Sequence, residues 1–152
     1  MSTSSLLLLL LSLCGSCFCC CPESWTQFGS SCYIYVRSDL SWVEANSVCK
    51  QLGGHLVEIN SAEENDFVMS LLSINEASDA WIGIDDIATD GEWVLSSSRR
   101  PMGYINWDSD EPNNHEGKKE DCGSIKSNGF WNDAFCNSSR QYPSVCQRSA
   151  YS

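Results

Sequence analysis

The sequence predicts an α+β domain, with two helices early, small antiparallel sheets late and a long polar loop region held by disulfides. Three observations predict it. Two stretches with apolar residues at helical spacing lie between positions 41 and 75. The remainder carries only brief runs of strand formers between polar segments. Ten cysteines among 152 residues argue for disulfides and an oxidising compartment.

From Pro22 onward the chain is evenly mixed, without a linker, repeat or low-complexity tract, and its length suits one domain, taken as residues 21–152. Residues 28–36, with Tyr33, Ile34, Tyr35 and Val36, read as a strand. Ser41 opens the first helix. Trp42, Ala45, Val48, Cys49 and Leu52 fall on one face, and Gly53 and Gly54 stop it. Residues 55–59 read as a short strand. Ser61 opens the second helix, with Glu64 three residues on in a capping box. Phe67, Val68, Leu71 and Leu72 form its apolar face, and the helical signal ends after Asn75. Residues 81–84 form an apolar strand. Shorter ones follow over 92–95, 104–107, 123–125, 130–131 and 144–148. Trp25, Trp42, Trp81, Trp93 and Trp107 are expected in the core.

The N-terminus has the pattern of an export signal. Residues 6–11 are an unbroken leucine run, too short for a bilayer of about 30 Å, and small residues follow. Residues 1–20 are therefore read as a signal peptide, although no basic residue stands near Met1. No later segment is apolar enough to anchor the product in a membrane, so a secreted, extracellular protein is expected. Cys14, Cys17, Cys19, Cys20 and Cys21 crowd the cleavage region. Cutting after Ser16 leaves nine cysteines and cutting after Cys19 leaves seven. Both are odd, which points to a homodimer or oligomer linked through the N-terminal cysteines.

The formal net charge is −11, from 20 acidic against 9 basic residues. That balance weighs against nucleic acid and against docking on an anionic membrane. It allows carboxylates that wait for a cation, and position decides whether they do. Residues 108–121 are almost free of apolar side chains, which is unusual for a loop of that length unless it is functional. They hold Glu111-Pro112-Asn113 and then Glu120-Asp121-Cys122. Trp131-Asn132-Asp133 and Cys136 follow about ten residues later. A disulfide could bring these carboxylates and amides together. Calcium takes about six to eight oxygen ligands of these kinds. His55 and His115 are the only histidines and have no paired thiolates, so zinc is not indicated.

With both polar motifs in order and correctly spaced from Cys122 and Cys136, the chain resembles the C-type lectin-like domain from Cys21 to Arg148. Trp81-Ile82-Gly83-Ile84 resembles that family's central strand motif. The resemblance implies the C-type lectin fold, with disulfides Cys21–Cys32, Cys49–Cys146 and Cys122–Cys136. It implies that Glu111, Asn113, Glu120, Asn132 and Asp133 bind one calcium ion, Asp133 also through its backbone carbonyl. Two adjacent sugar hydroxyls would complete the coordination, and the same side chains would hydrogen-bond them. A cis bond before Pro112 would aim the flanking carbonyls at the metal. Trp131 would pack beneath and orient Asn132 and Asp133. Glu111 with Asn113 matches the family's pattern for mannose, fucose, glucose and N-acetylglucosamine, whereas galactose binders carry Gln and Asp there. A second calcium site falls on Asp86, Asp90, Asn114, Glu120 and Asp121, with Asn114 standing where an acid is common. His115 is placed to touch the sugar ring, against a default of an exposed loop histidine.

The function these features imply is a calcium-dependent lectin for mannose-type glycans, serving innate recognition of microbial sugars. The alternatives are a galactose-binding, protein-binding or ice-binding member of the same fold. An enzyme is not indicated. No nucleophile elbow, histidine-paired cysteine or zinc triad is present, and the carboxylates that could cleave a glycosidic bond are assigned to metal. Asn137-Ser138-Ser139 fits the N-glycosylation sequon, beside Cys136, where folding competes with modification.

Overall fold

A computed structural model describes residues 21–150. The signal-peptide reading and Cys14, Cys17, Cys19 and Cys20 lie outside the described residues. Among the described residues no helix is long and apolar enough to cross a membrane.

The chain runs β1 (Thr26–Phe28), β2 (Ser31–Leu40), α1 (Trp42–Gln51), β3 (His55–Leu56), α2 (Ala62–Ile74), β4 (Asp79–Asp85), β5 (Val94–Leu95), β6 (Cys122–Lys126), β7 (Trp131–Ala134) and β8 (Tyr142–Ser149). The sheet order is β1-β2-β8-β4-β6-β7, with β3 on β8 and β5 on β4. The pairs are antiparallel except β4 with β8, which run parallel at Trp81 and Ser144. The first and last parts of the chain thus meet at the sheet's middle. Cys49–Cys146 fastens α1 to β8, Cys21–Cys32 closes the N-terminal hairpin, and Cys122–Cys136 ties β6 to the segment after β7.

The helices begin where serines cap them. Ser41 accepts from the Glu44 backbone N–H while the Glu44 carboxylate accepts from the Ser41 N–H, a complete capping box. At α2 only half of the expected box forms. Ser61 Oγ accepts from Glu64 N–H, but the Glu64 carboxylate turns inward. Its Oε2 accepts from the Asn60 N–H at 2.8 Å, and its Oε1 accepts from Tyr33 Oη at 2.6 Å and Gln147 Nε2 at 3.1 Å. Burial, reinforced by the Glu64 carboxylate, pushes the Tyr33 phenol far above its usual range, so it remains a donor. A buried charge with three donors is satisfied rather than stranded, and this one joins β2, α2 and β8.

Two apolar clusters fill the interior. One gathers Val57, Val68, Leu72, Ile82, Ile84, Ile125, Trp131 and Val145, and the other Trp42, Ala45, Leu56, Trp81 and the cysteines at 49, 122 and 146. Trp42 and Trp81 are buried as expected, whereas Trp25, Trp93 and Trp107 are only partly so. Leu52 ends α1 as its C-cap and is exposed rather than on the buried face. The strand expected over 28–36 is broken at Gly29, whose positive φ makes a hairpin of β1 and β2. The strand expected over 55–59 shortens to β3, and that over 92–95 to β5. The one expected over 104–107 does not form; Trp107 keeps a single bridge to Trp131.

Gly83 has a steric reason to be glycine. A Cβ there would lie 2.5 Å from the Leu56 carbonyl oxygen, in the packed sheet centre. Gly83→Ala should therefore cost about 1–3 kcal/mol through overpacking, read as a lower urea midpoint with an unchanged slope.

Candidate metal and sugar site

Strand β7 carries Asn132 and Asp133, and the fully buried Trp131 anchors it. The indole N–H of Trp131 donates to Asn65 Oδ1 at 2.8 Å, and its ring meets Tyr104 and Trp107 edge-on. Register places Asp133 opposite Gly123 and Asn132 opposite Ser124 on β6. Gly123 makes room for Ile84 on β4, since a Cβ at 123 would lie 2.2 Å from Ile84 Cγ1. The site is thus built on strands packed against the core, with the 108–121 loop folded over it.

That loop is gathered by its own backbone donors. Asp133 Oδ2 accepts from the N–H groups of Asn113 and Asn114 at 3.0 and 2.7 Å. Glu120 Oε2 accepts from the His115 N–H at 2.9 Å. The Glu120 N–H donates to Asn114 Oδ1 at 3.0 Å, which fixes the orientation of that amide and leaves its Nδ2 to donate to Asp90 Oδ1 at 3.0 Å. Asn132 Nδ2 lies against the Asp133 carbonyl oxygen. The Glu111–Pro112 peptide is cis. Asp108, held by Lys126 Nζ at 2.9 Å, accepts the Glu111 N–H on its carbonyl and so fixes the loop's entry.

The five residues expected at the principal site are gathered in part. Asp133 meets Glu111 and the Asn113 N–H, and Asn132 Nδ2 lies on its carbonyl, while Glu120 turns to the His115 N–H. Among the described residues Glu111, Glu120 and Asp133 do not close to a common oxygen cluster as Asp86, Asp90 and Asp121 do. Asp133 and Glu120 are buried, Glu111 and Asn132 half-buried and Asn113 exposed. Burial first, then a hydrogen bond to Asp133 and the charges of Asp133 and Glu120, push the Glu111 carboxyl up to about 7, with Lys126 opposing. Among the described residues Glu111 Oε2 and Asp133 Oδ1 are buried and find no N–H or hydroxyl donor, so the contact between the two carboxyls is a hydrogen bond only while one of them holds a proton. With both groups ionised, their contact sets acceptor against acceptor, and only a proton or a cation relieves it.

The residues expected at a second site divide. Asp86, Asp90 and Asp121 each bring an oxygen within 4.8 Å of the others. Asp86 is buried, and Gly91 N–H serves one of its oxygens while the other has no donor. Burial, joined by Asp121 and Asp90, raises its carboxyl above the ordinary range, and the Gly91 N–H opposes. Glu120 turns its carboxylate to His115, and Asn114 spans from this group to Asp133. The His115 side chain is 70% exposed. The bracing roles of Asn114, Asp108 and Lys126 were beyond sequence reasoning. So was the Arg99–Asp85 ion pair at 2.7 Å, which secures the buried carboxylate beside Asp86.

Comparison with known proteins shows the family and the fold. The family model for the lectin C-type domain matches residues 38–148. The chain belongs to the C-type lectin domain family. The mouse low affinity immunoglobulin epsilon Fc receptor is 43% identical over 118 residues, covering 78% of this chain and 34% of the receptor. The chain thus spans about a third of that relative. The cow C-type carbohydrate-recognition domain of CD23, solved in the presence of a GlcNAc2Man3 oligosaccharide, is 36% identical with a TM-score of 0.80, covering 88% of this chain and 99% of that one. A calcium-independent type II antifreeze protein is 26% identical with a TM-score of 0.77, covering 87% and 96%. The lectin fold, its two helices and its three disulfides are shared. Members of this family generally bind carbohydrate and calcium and are generally not enzymes.

Donor-less carboxylate oxygens beside amides and backbone carbonyls fit a hard divalent cation. Calcium in excess should raise the melting temperature of this lectin domain, by about 2.7 kcal/mol of stabilisation at a hundred times the dissociation constant. Magnesium, smaller and reluctant to shed water, should stabilise it less. Asp133→Asn should abolish most of the calcium effect in the same thermal melts.

Proposed function

We propose that this lectin domain binds mannose-type sugars through a calcium ion held by Glu111, Asn113, Glu120, Asn132 and Asp133. The observation that carries this reading is the donor-less pair of buried oxygens on Glu111 and Asp133, set among exactly the acceptor groups a calcium ion takes. A bound calcium ion supplies coordination positions for two adjacent sugar hydroxyls. The protein supplies the rest. Asn113 and Asn132 present amide N–H donors, and Glu111 and Glu120 present acceptors for the same hydroxyls. Trp131 and the Asp133 bonds to the loop hold these groups in place before sugar arrives.

The choice of mannose-type over galactose-type sugars rests on Glu111 and Asn113. Exchanging acid and amide between these positions exchanges donors and acceptors around the ion, which favours a different arrangement of ring hydroxyls. The CD23 domain solved with a GlcNAc2Man3 oligosaccharide supports this direction. We further propose that the chain is exported, that Asp86, Asp90 and Asp121 with Asn114 and Glu120 take a second calcium, and that N-terminal cysteines cluster several domains. A single site binds one sugar weakly, and several sites on one particle give avidity. Recognition of dense microbial glycans would then be the role. The likeness to a calcium-independent antifreeze protein supports a second reading, a contact that needs no ion.

Passage over mannose-agarose in millimolar calcium tests both readings. The folded protein should be retained and released by EDTA. Flow-through of folded, calcium-loaded protein would overturn mannose binding, and partner binding that survives chelator would favour the second reading. Glu111→Gln with Asn113→Asp should shift retention from mannose toward galactose.

The elevated Glu111 carboxyl adds a pH dependence. Metal must displace its proton below about pH 7, so calcium affinity falls with acid. With one linked proton, affinity at pH 6 should be about tenfold weaker than at pH 8. Calorimetry in buffers of different ionisation enthalpy should register proton release on calcium loading, and Glu111→Gln should flatten the profile.

A further inference from the structure

The sequon at Asn137 is not used by the sugar site, and it is the one Asn-X-Ser/Thr triplet in the sequence with X other than proline. The fold places it on the turn between β7 and β8. Residues 137–140 are all exposed. Asn137 Oδ1 accepts the Ser139 N–H at 3.0 Å, and the Arg140 N–H donates to the Asn137 carbonyl at 3.2 Å. The side-chain oxygen is thus committed locally, while among the described residues Asn137 Nδ2 and the Ser139 hydroxyl have no hydrogen-bond partner. Other asparagine side chains are spent inside the structure: Asn65 on Trp131 and Gly129, Asn106 on Gly129, Asn114 on Glu120 and Asp90. None of those begins a sequon.

The neighbouring Cys136 is bonded to Cys122, and its carbonyl accepts the Val43 N–H at the start of α1. The turn therefore stands on a fixed base beside Val43, an apolar side chain left 55% exposed. Arg140 lies over the Tyr142 ring at 5.8 Å. A bulky hydrophilic group on Asn137 has open solvent in front of it. Nothing buried must move to admit it.

We propose that Asn137 carries an N-linked glycan, so that this lectin is itself a glycoprotein. The co-reactant is an oligosaccharide joined to a polyprenyl pyrophosphate. The Asn137 amide nitrogen attacks its anomeric carbon, forming the N–C bond, and the bond from that carbon to the pyrophosphate oxygen breaks. The polyprenyl pyrophosphate leaves with the electron pair, and the amide nitrogen gives up one proton to base. No oxidant or reductant is needed. The proposal rests on the export reading, because the donor lipid and its transferase face the lumen of the secretory route.

The full 152-residue chain, expressed with its own N-terminus in a secreting animal cell, provides the test. The product should run as a heavier species that peptide-N-glycosidase converts to the polypeptide mass, with Asn137 becoming Asp. Asn137→Gln and Ser139→Ala should each remove the shift, and Ser138→Ala should leave it. Absence of a glycosidase-sensitive species in both medium and cells would overturn the proposal. So would a shift that survives Asn137→Gln. Location in medium or cells reports export separately from the gel shift, and neither reading depends on calcium or sugar binding. If a variant is retained by misfolding, mass spectrometry of the wild-type tryptic peptide containing Asn137 decides alone: a glycan on that residue upholds the proposal, and an unmodified residue in all of the peptide overturns it.

Discussion

Asp133 occupies an awkward place. It sits almost fully buried on β7, with one oxygen held by two backbone N–H groups from the loop and the other facing the half-buried Glu111. An ionised carboxylate in such a place costs several kcal/mol unless something compensates it. The two N–H groups compensate one oxygen and, in doing so, fold residues 113 and 114 onto the strand. Much of the loop's shape follows from this demand. Asn114 can brace Glu120 and Asp90 only because its own backbone is pinned to Asp133, and Glu120 meets the His115 N–H in the same fold-over. The second oxygen is left with a like-charged neighbour, and a cation is the partner that resolves this without protonation. The same residue therefore organises the loop and presents the oxygen that the proposed calcium ion would take.

Such a site needs a frame that does not depend on it. The two apolar clusters, the capped helices and the disulfides supply one. Cys49–Cys146 spans 97 residues of chain, and closing so long a loop removes much freedom from the unfolded state. Glu64 adds a polar tie between β2, α2 and β8, satisfied on both oxygens. None of these interactions uses a loop residue of the site. A calcium-independent antifreeze protein with the same fold fits that separation: the frame can persist where the metal requirement does not.

What could be read in the sequence divides along the same line as what is local. Both helices were legible because apolar spacing and a capping serine lie within a few residues of each other. That residues 111–114 would meet Asp133 was legible because two short motifs keep their order and their distance from Cys122 and Cys136. Glu64 misled, since its spacing from Ser61 is that of a capping box while its partners, Tyr33 and Gln147, are 31 and 83 residues away. The strand expected over 104–107 failed for a related reason. Those residues have the right composition, but their backbone pairing among the described residues is limited to the Trp107 bridge and the Asn106 carbonyl, both at Trp131. Arg99 with Asp85 and Lys126 with Asp108 leave no trace in local pattern, because each pair is made by the sheet.

If Glu111 and Asn113 choose the sugar as we propose, the division between frame and loop also explains why specificity can hang on so little. Glu111 and Asn113 are held by backbone contacts: the Glu111 N–H on the Asp108 carbonyl and the Asn113 N–H on Asp133. Those bonds do not depend on which side chain the residues carry. An exchange of amide and acid there changes what faces the sugar while leaving the loop's path determined by Asp108, Asp133 and the disulfide below. The net charge of −11 does not constrain that choice, since the exchange conserves it. On that reading, selection between sugars is a matter of donor and acceptor order around one ion, and the rest of the domain serves to keep that order fixed.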